Sequence, residues 1–291
     1  MTGVLNVYKE KGYTSHDVVA IIRKITGIKK VGHTGTLDPD ATGVLPVCIG
    51  PATKLAEHIT SADKTYVAEV ILGIETNTGD ISGEVVTQKA VKFDRDAISR
   101  IVNFFAVRGE YMQVPPMFSA IKIGGKKMYE LARKGETRDI PARLVTIHSI
   151  KILHFMPEKN AFTIEVKCSK GTYIRSLAVD IGRELGCGAT MGELERTQSG
   201  QFFLDSAKKL DEIKTAAQEG RLKELIIPAD ELLPYPKIYV NGDELRLASN
   251  GNPLPLTVAN SSQTKLWICS NEKIIGLYVK DEKKFRPEVM L

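Results

Sequence analysis

Residues 32–43 read GHTGTLDPDATG and lead directly into the apolar run VLPVCI at residues 44–49. The three glycines allow positive φ angles and the close approach of another chain. The Asp38-Pro39 step restrains the backbone of the aspartate within a turn. A carboxylate on a rigid loop just before a buried strand is where an enzyme holds a nucleophile or base, which makes Asp38 a candidate catalytic residue. From this segment alone, an ordinary connecting loop remains the alternative.

The sequence excludes two nucleotide-binding motifs. The chain contains neither G-x-x-x-x-G-K-[ST] nor a G-x-G-x-x-G that opens a helix, so it supports neither a P-loop nor a dinucleotide fold. His33 and Asp38 raise the alternative of a metal site. No second His or Cys lies near them in sequence, and we therefore expect no metal.

The composition is that of a soluble protein. The length of 291 residues predicts about two domains, and 43% hydrophobic with 26% charged residues is typical of globular chains. The longest apolar run is far shorter than a membrane span, and no secretory signal is visible. The four cysteines are scattered without a Cys-x-x-Cys, which favours reduced thiols. We therefore expect a cytoplasmic protein without a membrane partner.

A basic segment lies in the middle of the chain. Residues 122–143 contain seven basic and three acidic residues, a net +4 out of the +5 of the whole protein. Such a surface near a candidate catalytic loop indicates a polyanionic substrate, although a solvated helix face is the alternative. Residues 112–140 open with Pro115-Pro116 and contain Gly124-Gly125 as a hinge. We interpret them as a flap with a basic helix at residues 126–134, mobile in the free protein and ordered against RNA.

Periodicity predicts the elements around these segments. We expect a strand at residues 4–8, a helix capped by Thr14 or Ser15 and ended by Gly27, and a helix capped by Asp94. Residues 66–72 predict another strand, followed by turn residues to position 80. A strand at residues 162–168 leads into a helix that places Arg175 in its first turn, where a cation is unusual.

The last part of the chain differs in character. After a boundary near residues 234–237, short β-like runs occur at residues 258–259, 265–269 and 274–279. The Asn-Gly pairs at residues 241–242 and 250–251 predict turns between strands. These features predict a small all-β module.

Several motifs, in order along nearly the whole chain, resemble those of the TruB family of tRNA pseudouridine synthases. They are GHTGTLDPxATG (32–43), ATK (52–54), DKxY (63–66), PxFSAxK (116–122), SKGTYIR (169–175), LGCGA (185–189) and LxRT (194–197). The resemblance implies an α+β pseudouridine synthase fold with a mixed, mostly antiparallel central sheet flanked by helices. It assigns residues 1–233 to the catalytic domain and residues 234–291 to a PUA-like RNA-binding domain.

The resemblance also implies an activity. Members of the family isomerise uridine 55 in the T loop of tRNA after flipping the base out of the RNA. The expected partner is therefore the T stem-loop of tRNA, and we expect a monomer. No step of an isomerisation transfers electrons or a group to another molecule, so we expect no cofactor.

Matched position by position, the resemblance implies roles for individual residues. Asp38 corresponds to the catalytic aspartate, Tyr66 to the tyrosine that stacks on the flipped base, and Arg175 to the arginine that pairs with the aspartate. Asp40 is the rival carboxylate, but its position is variable in the family motif and we interpret it as solvated.

The remaining matches concern RNA binding. His33 corresponds to the histidine that contacts the T loop where the base leaves. The other expected substrate-binding positions are Tyr173, Leu194 and Lys54. The basic residues expected to bind RNA from the flap are Lys122, Lys126, Lys127, Arg133 and Lys134.

Three alternative functions stay open at this point. Synthases guided by a separate RNA share the motifs, although the compact length and the absence of long charged tails favour a stand-alone enzyme. An RNA-binding or RNA-folding protein without catalysis would also use the flap and the C-terminal module. A metal-dependent hydrolase would use His33 and the aspartates.

Overall fold

The computed structural model describes residues 1–136, 138–260, 262–271 and 273–291, and of Lys127 it describes the backbone alone. The strands are, in chain order, β1 (Gly3–Lys9), β2 (Val31–His33), β3 (Thr42–Ile49), β4 (Lys64–Leu72), β5 (Ile74–Thr76), β6 (Val85–Gln88), β7 (Glu110–Gln113), β8 (Lys122–Ile123), β9 (Lys126–Lys127), β10 (Arg143–Met156), β11 (Ala161–Cys168), β12 (Ala189–Ser199), β13 (Phe202–Phe203), β14 (Ile226–Ile227), β15 (Lys237–Tyr239), β16 (Leu254–Pro255), β17 (Lys265–Cys269), β18 (Ile274–Lys280) and β19 (Lys284–Met290). The α-helices are α1 (Ser15–Thr26), α2 (Ala56–Thr60), α3 (Arg95–Arg108), α4 (Met128–Ala132), α5 (Ile174–Glu184), α6 (Leu210–Gln218), α7 (Ala229–Leu232) and α8 (Gly242–Ser249).

The central sheet is mixed and mostly antiparallel. In the described part of the chain it has ten strands, in the order β14-β1-β3-β12-β4-β11-β10-β7, with β2 beside β3 and β13 beside β12. Its one parallel pairing there joins β12 to β3 and is short, matching Glu195 with Thr42 and Arg196 with Gly43. The predicted fold class is confirmed.

Helices α1, α3, α5 and α6 cover one face of this sheet. Alternate residues of β4 are buried, including Tyr66, Ala68 and Val70, because successive side chains of a strand point to opposite faces. These side chains share a core with apolar residues of α1, α3, α5 and α6. The intervening residues of β4 are half-buried and point to the opposite face of the sheet.

Strand β3 is buried on both faces, which explains the uninterrupted apolar run in its sequence. Leu45 and Val47 point into the core beneath the helices. Val44 and Cys48 point the other way, into a second core that contains Trp267 of the C-terminal module. The strand that follows the Asp38 loop is therefore packed between the two parts of the molecule.

The predicted helix boundaries depend on local chemistry and are confirmed. The Thr14 hydroxyl accepts from the backbone nitrogen of Asp17 at 3.1 Å, and the Asp17 carboxylate accepts from that of Thr14 at 2.8 Å. Gly27 ends α1 with a φ of 69°. Asp94 caps α3 through the backbone nitrogens of the second and third residues after it.

The flap differs from the prediction. The basic helix expected at residues 126–134 is only α4, because Lys126 and Lys127 pair with β8 in a two-stranded hairpin. Gly124-Gly125 forms the turn of this hairpin with positive φ at both residues, rather than a hinge. The expected unit also begins too early, since its first two residues belong to the edge strand β7.

The flap has a small core of its own. Met128 and Leu131 of α4 and Ile140 are buried together, with three partly buried neighbours, Met117, Ile121 and Ile123. The charged side chains of the described flap residues are exposed around this core. The flap is thus built as a compact unit whose apolar residues face inward and whose cations face solvent.

The C-terminal module contains a second sheet, in the order β15-β17-β18-β19-β16. The strands expected at residues 265–269 and 274–279 are confirmed. The strand expected at residues 258–259 is wrong, because a 3-10 helix occupies Leu256–Val258. Asn241-Gly242 is not a turn between strands: it begins α8, and Asn250-Gly251 ends that helix. Among the described residues no helix combines the length and hydrophobicity needed to cross a membrane.

We expect Trp267→Ala to lower the free energy of unfolding by about 3–5 kcal/mol, because large-to-small changes in a core leave a cavity. Trp267 is fully buried in the second core, and its indole nitrogen donates to the carbonyl of Leu233 at 2.7 Å. Urea denaturation followed by circular dichroism measures the change, since the protein has no other tryptophan to report by fluorescence.

Tyr239→Ala in the same module is the control, because its side chain is 62% exposed and we expect a loss below about 1 kcal/mol. Equal effects of the two substitutions would show that the second core adds little to stability.

Candidate active site

The Asp38 loop is fixed on both sides of the aspartate. The Ser15 hydroxyl accepts from the Leu37 nitrogen at 2.9 Å and lies 3.2 Å from the Leu37 carbonyl. The Pro39 carbonyl accepts from the Gly12 nitrogen at 3.0 Å. The Leu37 side chain is buried in the main core. The start of α1 and the segment before it therefore anchor the residues on either side of Asp38.

Lys9 supports the same loop from below. Its side chain is fully buried, and its amine donates to the carbonyls of Pro39 at 2.9 Å and Glu10 at 3.1 Å. Burial lowers the pKa of Lys9 to about 8, while the charges of Asp38 and Asp40 oppose that change. The amine thus ties the backbone next to Asp38 to the end of β1.

Arg175 pairs with Asp38 through two nitrogens. Nε lies 2.9 Å from Oδ2, and Nη2 donates to Oδ1 at 3.2 Å. The Arg175 side chain is 4% exposed, whereas that of Asp38 is 38% exposed and open to a ligand. Nη1 donates to the carbonyl of Thr78 at 3.0 Å, and Nη2 also to that of Phe118 at 2.9 Å. This forked geometry fixes the direction in which the carboxylate is presented.

A second carboxylate shares the arginine. Asp80 Oδ2 lies 3.7 Å from Arg175 Nε, and its side chain is 17% exposed. The pKa of Asp38 is raised, chiefly by burial; Asp80 adds to the rise, and the Arg175 cation opposes it. The site therefore contains two acidic groups around one buried cation.

Tyr66 lies beside Arg196 in the sheet. The two residues are opposite each other in the β4–β12 register, and Tyr66 is 9% exposed at the edge of the core. Burial raises the pKa of Tyr66, and the neighbouring Arg196 guanidinium opposes that rise. The position of the ring is thus set by the strand and by the neighbouring guanidinium.

Arg196 connects the two ends of the Asp38 loop. Its side chain is fully buried; Nε donates to the carbonyl of Val44 at 2.7 Å and Nη2 to that of Gly35 at 3.1 Å. Gly43 permits the close approach of the Arg196 backbone, because a Cβ at residue 43 would lie 2.8 Å from the backbone nitrogen of Arg196. The glycine also has a φ of 102°, which other residues rarely adopt.

His33 is held as a neutral imidazole. Burial, followed by the charges of His16 and Arg196, lowers the pKa of His33 to about 4. Its ring meets that of His16 edge-on, with 5.3 Å between the centroids. The Nδ1 atom is buried without a hydrogen-bond partner in the described structure. His33 therefore has an unused polar atom at the end of β2.

Tyr173 and Leu194 approach the site from two further elements. Tyr173 immediately precedes α5, two positions before Arg175, and burial raises the pKa of its hydroxyl. Leu194 of β12 is 9% exposed and belongs to the main core together with Tyr66. Tyr173 thus lies at the start of the helix that carries Arg175, and Leu194 lies on the strand that pairs with the strand of Tyr66.

The other expected site residues lie apart from this group. The amine of Lys54 donates to the carbonyl of Met290 at 2.6 Å, so it joins the catalytic part to the C-terminal module. Lys122, Lys126, Arg133 and Lys134 are exposed on the flap, and the guanidinium of Arg133 lies 5.5 Å from the Tyr129 ring. The side chain of Lys127 lies outside the described residues.

Three buried charges near the site were not predicted as functional. Asp80 is the last residue of a segment whose sequence predicts only a turn, and Lys9 ends β1. Arg196 is part of the LxRT motif, but no role was derived for it. Lys9 follows the largely apolar residues of β1, and that pattern was the available signal, whereas Asp80 and Arg196 have mostly polar neighbours in the sequence and no local pattern indicates them. Across the described residues, no cluster of three or more His, Cys, Asp and Glu side chains is arranged to hold a metal ion.

The chain matches two family descriptions. Residues 23–174 match "TruB family pseudouridylate synthase (N terminal domain)", and residues 175–234 match "tRNA pseudouridylate synthase B C-terminal domain". In solved structures, the chain resembles one described as "Crystal Structure of a Cbf5-Nop10-Gar1 Complex", with a TM-score of 0.72 and 27% identity over 99% of this chain and 84% of that one. A structure of an H/ACA RNP bound to a substrate RNA gives a TM-score of 0.71 and 25% identity, with the same coverage.

Curated relatives named tRNA pseudouridine synthase B are more similar. The protein of Alkaliphilus oremlandii is 48% identical over 253 residues, which cover 87% of this chain and 82% of the relative. That of Clostridium novyi is 45% identical over the full length of both chains. That of Geobacillus thermodenitrificans is 42% identical over all of this chain and 98% of its own. The chain therefore belongs to the TruB family of tRNA pseudouridine synthases, which are isomerases.

Proposed function

We propose that this enzyme converts uridine 55 in the T loop of tRNA to pseudouridine, with Asp38 as the nucleophile. The observation that carries the proposal is the forked pairing of Asp38 with Arg175. The position in tRNA rests on the motif resemblance. A stand-alone enzyme is favoured because the tRNA synthases are 42–48% identical, whereas the RNA-containing complex is 25% identical.

The chemistry needs a group that attacks and then leaves. The N1–C1′ bond of the nucleoside must break, the uracil must turn, and a C5–C1′ bond must form. A carboxylate can hold one fragment covalently between these events and is released at the end. The proton lost from C5 is balanced by the proton gained at N1, so the overall composition of the nucleotide is unchanged.

Arg175 favours the ionised form of the Asp38 carboxyl, which is the form that attacks. Burial raises the pKa of Asp38, and the raised value works against the ionised form that attacks. The guanidinium offsets part of that rise and points both oxygens in one direction through its two nitrogens. Because Arg175 is itself fixed by the Thr78 and Phe118 carbonyls, the carboxylate has little freedom to turn away.

Two residues fit the handling of a flipped base. A base within a folded RNA loop must leave its stack before a protein group can reach C1′, and an aromatic face such as Tyr66 offers a replacement stack. The neutral His33 lies at the end of β2, shortly before Asp38, and would contact the T loop where the base leaves. Tyr173 and Leu194 would line the base pocket, and Lys54 would lie near the RNA backbone.

The remaining parts supply binding. Residues 1–233 would carry the reaction, and residues 234–291 would act as a PUA-like RNA-binding module. The exposed cations of the flap would neutralise phosphates of the T stem. We expect the flap to become more ordered when these contacts form.

We expect Asp38→Asn to lower turnover by at least about 1000-fold, because the amide is no nucleophile, while the Kd for RNA changes less than about 3-fold. A T-stem-loop RNA and an assay for pseudouridine measure turnover, and filter binding measures affinity. Asp40→Asn is the matched control and should stay near wild type, because Asp40 is exposed. An active Asp38→Asn beside an inactive Asp40→Asn would identify the other aspartate as the nucleophile.

We expect Arg175→Lys to lower kcat by roughly 10- to 100-fold although the charge is kept, because one ammonium cannot reproduce two parallel hydrogen bonds. Single-turnover kinetics with saturating enzyme measure the step. Arg183→Lys on the same helix is the control, since that side chain is 72% exposed and pairs only with Asp180 among the described residues. Wild-type kinetics in Arg175→Lys would show that the fork is not required.

We expect replacing Lys122, Lys126 and Lys134 by Ala to weaken binding of different RNA sequences alike, with a flatter salt dependence. The log–log slope should fall by roughly one unit for each phosphate that the variant no longer neutralises. The chemical step in saturated complexes should change little, because these lysines supply attraction rather than chemistry.

The control replaces three exposed lysines outside the flap, Lys159, Lys214 and Lys223, which changes the net charge equally. An equal fall of the slope in both triple variants would show that the flap has no special share in binding. Hydrogen exchange of the flap with and without RNA tests the expected ordering.

A further inference from the structure

The helix that carries Arg175 lacks a cap of its own. Tyr173 precedes α5 with extended backbone angles, and its side chain makes no capping hydrogen bond. Helix starts normally satisfy their free backbone nitrogens with a nearby Ser, Thr, Asp or Asn side chain. Here Gln113, sixty positions earlier in the chain, binds the backbone of Tyr173 itself, the residue that precedes the first turn.

Gln113 reaches Tyr173 from the end of β7. Its Oε1 accepts from the Tyr173 nitrogen at 2.8 Å, and its Nε2 donates to the Tyr173 carbonyl at 3.1 Å. Nε2 also donates to the Tyr111 hydroxyl at 2.6 Å, so the amide is held from its own strand. The Gln113 side chain is 1% exposed, and its amide group has these three bonds in place of water.

The residues after Gln113 continue along the same helix start. The carbonyl of Val114 accepts from the Ser176 hydroxyl at 2.8 Å. The carbonyl of Phe118 accepts from Arg175 Nη2 at 2.9 Å, and this nitrogen also donates to Asp38. The direction of the guanidinium therefore depends on where residues 113–118 hold the first turn of α5.

We propose that Gln113 is a positioning residue for the isomerisation: its amide fixes the Tyr173 backbone and thereby places Arg175 against Asp38. The inference rests on the proposed function, since it assumes that the Asp38–Arg175 pair performs the chemistry. Tyr173 lies only two residues before Arg175, so a displacement at the helix start moves the guanidinium almost directly. The forked pair tolerates little displacement, because both of its bonds depend on the direction of one rigid plane.

Gln113→Met tests the proposal, because methionine keeps the volume of the side chain and removes its hydrogen bonds. We expect kcat to fall roughly 10-fold or more, while the Kd for a T-stem-loop stays within about 2-fold. We also expect the acid limb of the kcat profile to move to higher pH. Arg175 lowers the pKa of Asp38, so a guanidinium that is less well placed leaves more of the carboxyl protonated.

Asn6→Leu is the matched control for loss of a buried amide. Asn6 is 5% exposed, and its nitrogen donates to the Phe203 carbonyl at 2.8 Å and the Ser206 hydroxyl at 2.9 Å. We expect Asn6→Leu to lower the melting temperature about as much as Gln113→Met does, and to leave kcat and the acid limb of its pH profile unchanged. If Asn6→Leu moves kcat and the acid limb as far as Gln113→Met does, the effect is general destabilisation and the proposal is wrong.

Gln113→Glu serves if the methionine variant does not fold. It keeps the shape and an acceptor for the Tyr173 nitrogen but loses the donor to the carbonyl, so we expect a smaller fall in kcat in the same direction. Wild-type kcat and pH profile in the variant that folds would overturn the proposal. Asp38→Asn assayed in parallel separates the two hypotheses. Turnover by Asp38→Asn contradicts the proposed function. If Asp38→Asn is inactive and the Gln113 variant has wild-type kcat, only the positioning role is contradicted.

Discussion

The pairing of Asp38 with Arg175 depends on contacts from four separate segments. The aspartate comes from a loop anchored at the start of α1, and the arginine from the first turn of α5. The carbonyls of Thr78 and Phe118 satisfy the guanidinium from two other segments. A buried cation without one of these acceptors would be left with an unmet hydrogen-bond donor, which is costly. The pair thus requires that all four segments fold together.

Arg196 strengthens the contact between β3 and β12 in the sheet. The parallel contact between β3 and β12 is short, so backbone pairing alone gives little support to the strand that follows the Asp38 loop. The Arg196 guanidinium adds bonds to the Gly35 and Val44 carbonyls, at the two ends of that loop. Because Arg196 is also opposite Tyr66, one side chain relates the loop to the expected base-stacking residue.

Features that depend on neighbouring residues were predictable from the sequence, and features that depend on distant ones were not. Thr14 begins α1 and Gly27 ends it through contacts within a few residues. The alternation of buried and half-buried side chains in β4 follows from one buried face. Asp80 meets Arg175 across about a hundred residues of chain, so no local pattern indicates the contact. Asn241-Gly242 fits both a turn and a helix start, and tertiary packing decided for the helix. The resemblance to the family motifs predicts the Asp38–Arg175 pair, which no local sequence pattern indicates.

The two-sided burial of β3 connects stability to the site. One face of the strand packs under the helices, and the other packs against a core completed by Trp267, Leu277 and Val289 of the C-terminal module. A strand with only one covered face would lose part of the apolar burial that holds it in place. Since β3 begins four residues after Asp38, the module supports the end of the Asp38 loop. Its position on the sheet therefore contributes to the stability of the candidate active site.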